Sequence, residues 1–166
     1  MKNKFFTKRR GVTLMELIIY IGVMSIVIVA ITDLAGRLVF AQKKNNASTE
    51  INETSNLISG KLNSDIANAT AVNGIFPSNT LILTVDGHQL QYDLSDNNLS
   101  LKTDSGEAVK LNSSRIKIQP VVPSTMIFNK AENGSANSVS YKMNFTLLTG
   151  SGIGNTVQTT ILMRAK

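Results

Sequence analysis

The chain has no cysteine, no tryptophan, one histidine and three prolines in 166 residues. Without cysteine it can form no disulfide and no thiolate metal site, and it has no residue to lipidate in a lipoprotein signal. The lone histidine, His88, has no second imidazole or thiol with which to complete a metal shell or a catalytic triad. It follows an Asp86-Gly87 turn and reads as a solvated turn residue. No phosphate-binding loop is present either. The one glycine-rich run, TGSGIGN at 149–155, lacks both the lysine and the following helix that such a loop needs. Nothing in this inventory suggests an enzyme, and no cofactor is implied.

A basic surface is also missing, despite a formal net charge of +6. Five of the seventeen basic residues (Lys2, Lys4, Lys8, Arg9 and Arg10) lie in the first ten positions. The rest of the chain is close to balanced. Nucleic-acid binding calls for a basic face on the folded domain, so no nucleic-acid partner is expected.

What the sequence does have is a long apolar run. Leu17–Ile31 reads LIIYIGVMSIVIVAI, and Val12–Thr32 contains one charge, Glu16. As a helix, 12–32 would extend roughly 31 Å, enough to cross a bilayer core of ~30 Å. The basic head precedes the run, so it stays in the cytoplasm and the remainder faces outward. A secretory signal peptide would have a shorter apolar region and a small-x-small cleavage site. A plain signal anchor accounts for everything except Glu16.

An acid at membrane depth costs on the order of 2.5–3.5 kcal/mol and usually marks function. Glu16 has no lysine or arginine available to it between residues 11 and 36. Cleavage after Gly11 would supply a cation, the new α-amine of Val12, one helical turn away. The alternative is that Glu16 sits at headgroup depth and is simply hydrated.

The string Lys8-Arg9-Arg10-Gly11-Val12-Thr13-Leu14-Met15-Glu16-Leu17, followed by the apolar run, resembles the N-terminal signal of type IV pilins and type II secretion pseudopilins. The resemblance covers about residues 8–32. It implies cutting between Gly11 and Val12 by a membrane prepilin peptidase, methylation of the Val12 amine, and an assembly role for Glu16. It also implies as partners other pilin-like subunits, the inner-membrane assembly machinery and the lipid bilayer. Two departures stand out. The first mature residue is Val12 rather than the commoner Phe or Met. The position at which many major pilins carry proline is Asp33, so any melting of the helix would have to start elsewhere, for example at Gly36. Gly22 suits close helix packing.

Beyond the membrane run, apolar residues recur at Leu34, Leu38, Ala41, Ile51, Ile58, Leu62, Ile66 and Ala69, a helical stripe. Lys43, Lys44, Glu50, Glu53 and Lys61 would form its solvated side. The helix is expected to reach about residue 70, with Asn73-Gly74 and Pro77 stopping it.

From residue 80 the period becomes two. Thr80–Val85, Asp86-Gly87 and Gln89–Leu94 read as a hairpin. Asn98–Lys102, Ala108–Leu111, Arg115–Val122, Ser138–Leu148 and Thr156–Met163 follow as strands, with SDNN, TDSGE, NKAENGSAN and TGSGIGN as turn-rich separators. The long strand SVSYKMNFT and the final VQTTILMR resemble minor subunits of the J/W type. Some major pseudopilins bind calcium in a C-terminal loop. The corresponding loop here, Leu148–Thr156, has no acid, which leaves only Asp93 and Asp96, with Asp104 nearby, as weak candidates. The Asn-x-Ser/Thr triplets at Asn52, Asn68, Asn112 and Asn144 are expected by chance in so Asn-rich a chain.

The expected class is α+β: one long helix whose outer half covers a twisted antiparallel sheet. The expected organisation is a leader at 1–11, a membrane helix at 12–33, an amphipathic continuation at 34–72 and a sheet domain at 78–166. The expected function is a pilin-like filament subunit, placed first in the cytoplasmic or inner membrane and then in a filament outside. The competing expectation is an uncleaved, single-pass anchored binding module.

Overall fold

A computed structural model describes residues 12–133, 136–148 and 153–163. One helix, α1 (Leu14–Asn68), precedes nine strands. The chain divides into two compact units, Met1–Lys43 and Lys44–Lys166. The fold is α+β, as the change of period predicts.

In the second unit, α1 buries Ala47, Ile51, Ser55, Ile58, Leu62 and Ile66, spaced by threes and fours. That spacing keeps one helical face turned inward. Ser55 escapes a hydrophobic count because it is polar, and Ala47 because it stands alone in the polar stretch from Gln42 to Glu50. Helix gives way to strand after Asn68. The Ala69 amide donates to the Ile66 carbonyl, which tightens the last turn, and Thr70 donates from both its amide and its hydroxyl to the carbonyl of Thr84. Ala71–Asn73 is therefore a strand, β1, where the stripe alone suggests continuing helix.

The strands form two antiparallel sheets rather than one. In the first, β1, β2 (Thr80–Val85), β3 (His88–Ser95), β4 (Asn98–Thr103) and β5 (Val109–Lys110) lie in sequence order. Their connections are short, and Asp86, Asp96, Asn97 and Asp104 take left-handed backbone angles at the turns, a conformation that Asn and Asp tolerate better than most residues. The second sheet is built on β8 (Ala136–Leu147). β6 (Ile116–Pro120) and β7 (Phe128–Asn133) pair with successive stretches of it, and β9 (Gly154–Leu162) also pairs with it. β7 falls in a stretch whose composition reads as loop. Asn129 and Ala131 on it are exposed, and Asn133 pairs with Ala136.

Both sheets contribute to one apolar core with the helix. Leu81, Leu83, Tyr92 and Leu99 come from the first. Ile116, Ile118, Phe128, Val139, Tyr141, Met143, Phe145 and Leu147 come from the second. Each fully buried side chain of this kind is worth about 1.5–3 kcal/mol, so this core outweighs the surface ion pairs, which are worth ~0–1 kcal/mol each.

Polar contacts set how the parts meet. Each sheet sends one buried tyrosine to the helix. The Tyr92 hydroxyl donates to Asp65, and the Tyr141 hydroxyl donates to Asn63 Oδ1 at 2.7 Å. Asp65 also pairs with Lys61 at 3.2 Å. Glu50, which the sequence places on the solvated side, instead accepts from Ser113 and pairs with Arg115 at 3.2 Å. The sheets are also joined directly. Buried Asn112 accepts from the Leu99 amide at 2.9 Å and donates to the Ile116 carbonyl at 2.6 Å, linking β4 to β6. Ser78 and Phe128 exchange amide–carbonyl bonds at 2.9 and 3.0 Å.

Two predictions follow from these contacts. Asn112→Ala leaves the buried Leu99 amide without its acceptor and should lower unfolding stability by about 1–3 kcal/mol, read by denaturant titration of the full chain in detergent. Burial raises the Tyr92 phenol above its usual range, and the hydrogen bond to Asp65 and that carboxylate's charge raise it further. A raised folded-state value stabilises the fold below the ordinary tyrosine range and loses that contribution at higher pH. Stability should therefore fall as pH climbs past about 10, and Tyr92→Phe should flatten that decline in the same titration.

Candidate functional site

The described part of the first unit is the first half of α1 with the two residues before it. Every residue from 12 to 46 is exposed, including Leu14, Ile26 and Phe40, each more than 70% exposed. Among the described residues α1 is the one helix long and apolar enough to cross a membrane. Leu34, Leu38 and Ala41, which begin the apolar stripe beyond the membrane run, are exposed as well.

The polar side chains inside the apolar run are satisfied by their own helix. Ser25 donates to the Ile21 carbonyl at 2.7 Å and Thr32 to that of Ile28 at 2.8 Å. In lipid, where water is absent, such back-bonding removes the cost of an unpaired hydroxyl. The run ends at Asp33 and Arg37, which pair with each other at 2.9 Å. The helix continues through Asp33 and Gly36 without interruption. A shallow groove lies beside Gly36, lined by Ile28, Val29, Thr32, Arg37 and Phe40, and nothing lies within 4 Å of where a β-carbon on Gly36 would sit.

Glu16 sits in the first turn of α1. Its amide donates to Thr13 Oγ1 at 3.3 Å, so Thr13 acts as the N-cap. Thr13-Leu14-Met15-Glu16 has the residue order of a capping box, a signal legible in the sequence. Tyr20 lies one turn further along and donates its hydroxyl to Glu16 Oε1 at 3.1 Å. The carboxylate thus has a neutral donor within its own helix, a contact that the residue types at i and i+4 could have revealed. A phenol shares a hydrogen bond but leaves the negative charge in place. Val12 precedes the helix and is exposed. It lies four residues before Glu16 and two before the first residue of the helix. Gly11 and the basic head lie outside the described residues, so the Gly11–Val12 bond has no described geometry.

The other candidates lie in the second unit. His88 Nδ1 is 2.8 Å from Asp104 Oδ2, with both side chains exposed. Asp104 also accepts from the Gln89 amide at 2.8 Å, and that bond, with the one to His88, holds its carboxyl below the usual range. Asp93 accepts from the Thr80 hydroxyl at 2.6 Å. Among the described residues no three His, Asp or Glu side chains gather as a metal site. Asn112, one of the glycosylation-type triplets, is buried and uses its amide within the fold.

No protein-family model matches the chain, and no curated protein or solved structure shows significant similarity to it.

Proposed function

We propose that this chain is a pilin-like structural subunit, either a minor pilin or a pseudopilin, of a filament of the type IV pilus or type II secretion kind. One observation carries the reading: an uncovered apolar helix with a single carboxylate one turn from Val12. Such a surface requires lipid or other helices around it. The basic leader, Gly11 and the apolar run support the same reading. The fold, one long helix with an antiparallel sheet domain at its outer half, is compatible with it.

In this mechanism the precursor sits in the membrane with residues 1–11 in the cytoplasm. Prepilin peptidase cuts the Gly11–Val12 bond. The freed Val12 amine and the Glu16 carboxylate of an adjacent subunit neutralise each other as the helix leaves lipid, and this pairing sets the register of the bundle. The groove beside Gly36 lets a neighbouring helix approach closely. The second reading is an uncleaved membrane-anchored module. The Thr13 and Tyr20 contacts favour it to the extent that they give Glu16 a place within its own helix.

Glu16→Ala separates the two. The filament reading expects normal cleavage and membrane insertion, but a loss of at least about tenfold from the sheared filament fraction, since a lost interaction of about 1.4 kcal/mol already has that effect. Incorporation equal to that of the unaltered chain would count against the pairing of Val12 with Glu16.

A further inference from the structure

The free edge of β9 is unlike the other strand edges of the second unit. The outer strands of the first sheet are short: β1 has three residues and β5 two. β6 receives a bond at its outer side, from the Ile118 amide to the Asn97 carbonyl at 2.9 Å. β7 is bridged by Ser78 at Phe128 and carries a charge at Lys130. β9 is nine residues long, GNTVQTTIL, with no charge and no proline. It pairs with β8 in unbroken register from Ser138↔Leu162 to Thr146↔Gly154, and among the described residues it pairs with no other strand. Folded proteins usually blunt a long edge with lysine, proline, a bulge or a covering element. Its inward row, including Val157 and Ile161, packs on the core but is only partly buried.

We propose that this edge is an interface with a second copy of the same chain, β9 pairing antiparallel with β9 across a two-fold axis at Gln158. Charge and face both favour a copy over a different partner. An uncharged strand meets itself without repulsion and offers a charged strand nothing to recognise. A two-fold pairing is self-complementary. Centred at Gln158, it sets Thr156 opposite Thr160 of the other copy and Val157 opposite Thr159. Each pair then falls on one face, so the two inward rows join and the half-covered Val157 and Ile161 gain a neighbour. The four-stranded sheet becomes eight-stranded. An edge of nine residues buries less than the ~1,200 Å² of a stable interface, so the dimer is concentration-dependent and forms where chains gather in a membrane. The inference does not depend on cleavage or on filament formation.

The absence of cysteine makes the test clean. Gln158→Cys is introduced into the full chain in membranes and exposed to mild oxidant. Directly opposed antiparallel residues have α-carbons ~4.5–5.5 Å apart, within disulfide reach. Lys142→Cys is the control: it is exposed and opposite Gln158 on β8, but one strand in from the edge. Gln158→Cys should give several-fold more disulfide dimer than Lys142→Cys. Thr156→Cys mixed with Thr160→Cys should cross-link, and Thr156→Cys alone should not. Equal dimer at Gln158 and Lys142, or equal dimer from Thr156→Cys alone and from the mixture, overturns the proposal.

Discussion

A carboxylate inside an apolar helix has to be hydrated, hydrogen-bonded or neutralised wherever that helix is buried. Glu16 brings this constraint to the first turn of α1. Around it every residue through position 46 is exposed, so the protein supplies no interior for the apolar surface it presents. The helix itself contributes one hydroxyl, from Tyr20, to the Glu16 carboxylate, while Thr13 accepts from the Glu16 amide, and neither contact supplies a positive charge. In the proposed function, what remains to be supplied is a positive group, and the nearest position that can become one is the amine of Val12.

The second unit solves a different problem. Its helix and sheets share one apolar core, and its polar contacts act as locators. Tyr92 and Tyr141 bring one hydroxyl from each sheet to Asp65 and Asn63 on the helix. Asn112 fixes the seam between the sheets, and Glu50 ties the helix to Ser113 and Arg115. Buried hydroxyls and amides give orientation because leaving them unpaired costs more than the bond itself contributes.

Much of this was readable from periodicity. Ile51, Ile58, Leu62 and Ile66 mark the buried face of the helix, and alternation in Ser138–Leu147 marks the strand on which the second sheet is built. The failures have physical causes. Ala47 and Ser55 continue the buried face at helical spacing, but one is isolated in a polar stretch and the other is polar, so a hydrophobic count overlooks them. β7 reads as loop because its composition is polar, and of its described side chains beyond Phe128, Asn129 and Ala131 are exposed. The split into two sheets is set by which strands pair, and the Asn112 and Ser78 contacts that then join the sheets have no periodic signature in the sequence. At the candidate site, Glu16 announces itself as a lone charge, while Tyr20 goes unnoticed because a tyrosine in an apolar run looks like one more hydrophobe.

Mass spectrometry of the protein isolated from the membranes of its own host bears most directly on the pairing of Val12 with Glu16. A mature chain whose first residue is Val12, with one added methyl on its amine, is the predicted result. A chain that retains the residues before Gly11 would contradict it, because no positive terminus would then exist to offset the acid.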